Sequence, residues 1–141
     1  MVSVAACSRS AAAVVVNPPV PNTATRQACE RLAQELPASL GKGLARRSTR
    51  PDSPLVAAWG SPPAVLRCGV PVEPAYKSGD QVFEVKSGAA KADWYAVKRG
   101  DRVVWSTPRA TVHVELVVPV KYQGAGLLAR LTPAVAKVSV F

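Results

Sequence analysis

Three cysteines and one histidine are the side chains of this 141-residue chain that bear most directly on chemistry. The cysteines stand at Cys7, Cys29 and Cys68, with no Cys-x-x-Cys pair and only His113 as a nitrogen ligand. That spacing fits no zinc pattern, so the thiols are left with pairing or with modification. His113 lies two residues before Glu115, on the same side of a strand, where a base and an orienting carboxylate could sit. Such a pair is ordinarily an exposed strand face. No motif supplies a nucleophile with a partner, no carboxylate pair stands out, and no glycine-rich phosphate loop is present. We therefore expect no catalytic, cofactor-binding or metal site, and no enzyme.

Cys7 follows Val4-Ala5-Ala6, the aliphatic-small-small-Cys pattern that precedes a lipidated cysteine in bacterial lipoprotein signal peptides. Residues 1–7 then read as the remnant of such a signal and residues 8–24 as a flexible, Pro-rich tether. Only six residues precede Cys7, and they hold neither a basic segment nor an apolar run of signal-peptide length. Either Met1 lies inside a longer signal peptide, or Cys7 is a chance match. Cysteine arithmetic favours the first: if two thiols bond, the odd one sits where a diacylglycerol would be attached.

The elements that position Cys29 and Cys68 are legible. Thr25 to Leu36 reads as a helix capped by Thr25 and ended by Pro37, with Cys29, Leu32, Ala33 and Leu36 on one stripe. Cys68 ends the short strand Ala64-Val65-Leu66, bounded by Pro63 and Gly69. Packing stripe on strand lets the two sulfurs bond, closing a loop of about 40 residues worth roughly 4 kcal/mol. Two buried free thiols in a cytosolic protein remain the alternative.

The rest supplies strands. Residues 41–54 read as a loop or edge strand, Leu55 to Trp59 as a strand entering a Pro corner, and Gln81 to Lys86 as a half-buried strand. Ala92 to Lys98 and Arg102 to Ser106 form a hairpin that sets Trp94 and Trp105 on neighbouring strands, as core rather than as a sugar platform. Val112, Val114, Leu116 and Val118 alternate along a further strand ended by Pro119. Gly124 to Leu131 reads as a short helix, with Thr132-Pro133 starting one last turn to Val138. The expected fold is α+β: a two-layer single domain over residues 25–141. Its five or six mostly antiparallel strands carry, on one face, an N-terminal helix (about 25–36) and a short C-terminal helical region (about 124–138).

A net charge of +9 raises the question of polyanions. Only Arg46-Arg47 with Arg50, and Lys98-Arg99 with Arg102, are clustered, and neither sits in a nucleic-acid-binding motif. A basic surface attracted to any polyanion follows, with an anionic envelope polymer as suitable a partner as DNA.

Cys29-x-x-Leu32 with Leu36-Pro37, then Arg46-Arg47, Ala57-Ala58-Trp59-Gly60-x-Pro62 and Leu66-Arg67-Cys68-Gly69-Val70-Pro71, form a block with a recognisable likeness. Together with Asp93-Trp94 and the Val112–Pro119 strand, it resembles the family of domain of unknown function 3515. The resemblance implies an exported, membrane-attached or lipoprotein-like protein of the actinobacterial envelope, of no established activity. It marks Trp59, Gly60, Pro62, Arg67, Gly69, Pro71 and Trp94 as structural landmarks. The expected function is thus a non-catalytic binding or structural module, extracytoplasmic and held to the membrane by a lipid on Cys7. Its expected partner is an anionic polymer or another envelope protein, with no cofactor. The competing expectations are a cell-wall enzyme using His113 as base and a cytosolic nucleic-acid binder.

Overall fold

Asn22 opens the first helix: its extended backbone and Oδ1, which accepts from the Thr25 amide at 2.9 Å, cap helix α1, Thr23–Glu35. The helix begins two residues before the expected cap because Asn22 supplies the oxygen that Thr25 was expected to supply. Leu36 is extended, as a residue before proline is constrained to be, and ends it. The computed structural model describes residues 12–122 and 124–141.

The strands are β1 (Val14–Val15), β2 (Arg46–Arg47), β3 (Thr49–Arg50), β4 (Val56–Trp59), β5 (Ala64–Cys68), β6 (Phe83–Ser87), β7 (Ala90–Arg99), β8 (Arg102–Ser106) and β9 (Val114–Pro119). Seven of them form one sheet in the order β2-β4-β5-β9-β8-β7-β6, and every pairing in it is antiparallel. The α+β architecture is the expected one, with one or two more strands than the alternation suggested. Two-residue strands such as β2 carry no period to detect. The β7–β8 hairpin turns through Gly100-Asp101, where Gly100 takes a φ of +64° that a side chain would resist.

Alternation divides each central strand between two faces. Ala57 and Trp59, then Ala64, Leu66 and Cys68, then Val114, Leu116 and Val118, then Ala92 and Trp94, all point to one buried core. Trp94 is fully buried and reaches Thr132 Oγ1 with its indole N–H. Trp105 packs against the same core with Phe83 edge-on to it. Both tryptophans thus serve packing.

Helix α2, Gly124–Val138, covers this face beside α1. It runs as one helix through Pro133 instead of stopping and restarting there. One stripe, Leu127, Leu128, Leu131, Ala134 and Val135, is buried on both sides of the proline, and Thr132 Oγ1 donates back to Leu128 O at 2.7 Å. Burial of that continuous stripe outweighs the single backbone bond that proline forfeits. The Lys137–Glu35 ion pair at 2.8 Å joins the two helices. No helix among the described residues is long and apolar enough to cross a membrane.

Residues 12–22, expected to belong to a flexible tether, lie along the domain. β1 pairs in parallel with β3, Val14 is buried, and Pro21 packs on Gly69 so closely that a Cβ there would stand 2.8 Å from Pro21 Cγ. Val14 alone of β1 is buried while Val15 is exposed, a signal too short to register as a strand.

Candidate functional site

Cys29 and Cys68 are joined, with Cα atoms 5.7 Å apart, and both are fully buried. The bond fixes α1 to the last residue of β5, as the packing of stripe on strand led us to expect. At the Trp-Gly corner, landmark residues brace the chain. Trp59, fully buried, donates its indole N–H to Pro37 O at 2.9 Å and carries the Arg46 guanidinium 5.2 Å above its ring. Gly60 has φ +78°, and a Cβ would meet Leu44 Cδ2 at 2.4 Å. Pro62 offers its carbonyl to the Tyr122 hydroxyl. Cys7 lies outside the described residues.

The second face of the sheet carries the polar chemistry. Arg67 of β5, Glu115 of β9, Ser106 of β8 and Tyr95 of β7 stand directly opposite one another in a row across four strands. Each alternates with core residues, so each must point away from the helices. The segment 70–80 folds over this row. Glu73 is buried, ion-paired with Arg99, and accepts from the Ala75 amide at 3.1 Å. The Tyr95 hydroxyl donates to Ala75 O and Asp80 Oδ2 at 3.4 Å each, and Tyr76 lies edge-on to Tyr95.

Beneath the strap is a half-open cleft of about 220 Å³ lined by Arg67, Glu73, Ser106 and Glu115 on its polar side. Val70, Pro71, Val72 and Pro74 supply its apolar lining. Arg67 Nη1 holds Glu115 Oε1 at 3.0 Å. Ser106 is 4% exposed, and neither its hydroxyl nor the buried Arg67 Nε has a protein partner. The two carboxylates, Glu73 and Glu115, come from distant segments. Their convergence on one cleft has no local signature, because only the segment 70–80 brings Glu73 over the sheet. The alternation of Arg67 and Glu115 with apolar neighbours was the one available signal.

Burial pushes the Glu115 carboxyl above its ordinary value of 4.5, against the opposing pull of Arg67 and with help from Glu73. An unfolded carboxyl titrates at the ordinary value. Between that value and the higher folded one the native protein binds more protons, so stability falls as pH rises through the window and then levels off. Urea midpoints measured from pH 4 to 7 should decline in the wild type relative to Glu115→Gln. Parallel profiles would remove Glu115 as the cause.

His113 does not share a hollow with Glu115. It lines a separate depression of about 350 Å³ with Asn22, Thr25, Gly69 and Thr111, and Val70 and Pro71 stand between the two hollows as shared wall. Both basic clusters are partly engaged within the domain. Arg47 donates to Gly60 O and Ala12 O, Arg46 covers Trp59, and Arg99 holds Glu73. Among the described residues no group of three His, Cys, Asp or Glu side chains stands ready to hold a metal ion.

No curated protein and no solved structure matches the chain. Residues 1–139 match the family described as "Protein of unknown function (DUF3515)", nearly the whole length. The match spans every landmark that carried the resemblance, and the chain belongs to the DUF3515 family.

Proposed function

We propose that this protein is a disulfide-braced, non-catalytic binding domain that works outside the reducing cytosol as a module of the cell envelope. The observation that carries this is the buried Cys29–Cys68 bond. Disulfides persist in oxidising compartments and are rare where thiols are kept reduced. Cys7 is the residue through which a lipid would hold the domain at the membrane, and residues 12–22 run from its side of the chain onto the domain surface. A non-catalytic role is supported by the placement of His113 and Glu115 in different hollows and by the engagement of Glu115 with Arg67.

Two measurements on protein expressed from its native locus test this. Non-reducing mass spectrometry should find Cys29 and Cys68 linked, and fractionation should place the protein with the envelope. Free thiols at both positions, or a cytosolic location, would overturn the proposal.

A further inference from the structure

We propose that the cleft between residues 70–74 and the second face of the sheet binds one ring of an uncharged, polyhydroxylated ligand, a neutral saccharide. This deepens the binding role proposed above and rests on it. It starts from two unpartnered polar groups of different character in one hollow. The Ser106 hydroxyl is buried, has no protein partner, and belongs to a residue lining the cleft; Arg67 Nε is a second buried donor on such a residue. A buried polar atom without a partner costs about 1–3 kcal/mol, which a ligand that satisfies both would recover.

The charges already present select against an ionic ligand. Arg67 neutralises Glu115 and Arg99 neutralises Glu73, so the cleft holds two matched pairs and no surplus charge. Bringing an ion into it would strip that ion's hydration without a countercharge in return. What stays open is a donor at Arg67 Nε and a hydroxyl at Ser106 that can donate or accept. Glu115 adds an acceptor, Oε2, since only Oε1 holds Arg67. Hydroxyl groups, each a donor and an acceptor, match that alternation.

The apolar part of the lining supplies the other half of the fit. Val70, Pro71, Val72 and Pro74 are apolar, and Val72 is 44% exposed. Water would meet the polar atoms and leave this apolar lining wetted. A sugar ring presents hydroxyls at its edge and C–H groups on its face, so it covers both. At about 220 Å³ the cleft has room for roughly seven waters, the scale of one ring and not of an oligosaccharide.

Isothermal titration and saturation-transfer NMR on the disulfide-bonded domain test this. The probes are glucose, galactose, mannose, N-acetylglucosamine and arabinose, with glycine, putrescine and acetate as charged comparators. At least one neutral sugar should bind. Ser106→Ala and Glu115→Gln should each weaken it at least about tenfold, as loss of a buried hydrogen bond to ligand would. Lys86→Ala, on the edge strand β6, should leave affinity unchanged. Amide shifts on titration should map to residues 67, 70, 72, 73, 106 and 115, which keeps the test valid should a variant fold poorly. Absence of binding by every sugar, binding that maps elsewhere, or preference for a charged comparator would overturn the proposal. None of those results bears on where the protein resides, and a cytosolic location would leave the measured affinity as it stands.

Discussion

Replacing Cys29 and Cys68 together by alanine should lower the stability of the domain by about 4 kcal/mol, a large part of what a chain of this size possesses. The magnitude follows from the separation of 39 residues between the two sulfurs. Opening that loop returns to the unfolded chain the conformational freedom the bond had removed. The folded state loses too, since both residues are fully buried where helix α1 meets the end of β5, and two shortened side chains leave space there. With an m-value of about 2 kcal/mol/M in urea, the midpoint should fall by about 2 M. Reduction of the wild type should reproduce most of that shift, because it opens the loop and keeps the sulfur volume. An unchanged midpoint in both experiments would show that α1 is held by packing alone.

The disulfide was legible in the sequence for a reason that applies to few other contacts. Cys29 lies on a helical stripe and Cys68 ends a short apolar strand, so each partner's burial could be inferred locally before the pair was considered. The sheet was legible for the same reason wherever strands were long enough to alternate, as in β5, β8 and β9. The course of residues 12–22 was not, because β1 has two residues and pairs in parallel with an equally short partner. Nor was the unbroken course of α2, where Pro133 argues locally for a stop and only the shared buried stripe overrides it. Local propensity yields to tertiary burial there.

The cleft was the least legible part. Arg67 and Glu115 are each marked as outward-pointing by their apolar neighbours, yet nothing local says that β5 and β9 lie side by side. That adjacency depends on a connection passing through β6, β7 and β8 before β9 returns to the middle of the sheet. Ser106 reads as an ordinary strand residue, and Glu73 sits in a Pro-rich stretch with no periodicity. A site assembled from an alternation on three strands and one strap becomes visible only when the register is known.

Trp59→Ala should destabilise the protein by about 3–5 kcal/mol, on the scale of breaking the disulfide. Trp59 is fully buried at the end of β4, opposite Ala64 of β5 and Arg46 of β2. Truncation empties the largest side-chain volume at that end of the core. It also strips Pro37 O of the indole N–H it accepts at 2.9 Å, the contact that ties the chain leaving α1 to the sheet. It removes as well the ring beneath the Arg46 guanidinium, whose protonation burial already disfavours. Trp59→Phe separates these contributions. It keeps an aromatic face for Arg46 and most of the volume while losing the hydrogen bond, so its cost should be about 1–2 kcal/mol. Urea unfolding of both variants with the disulfide intact is the measurement. If Trp59→Phe proved as damaging as Trp59→Ala, the indole–Pro37 bond would be the dominant contribution. If both were nearly neutral, the Trp-Gly corner would be incidental to the fold.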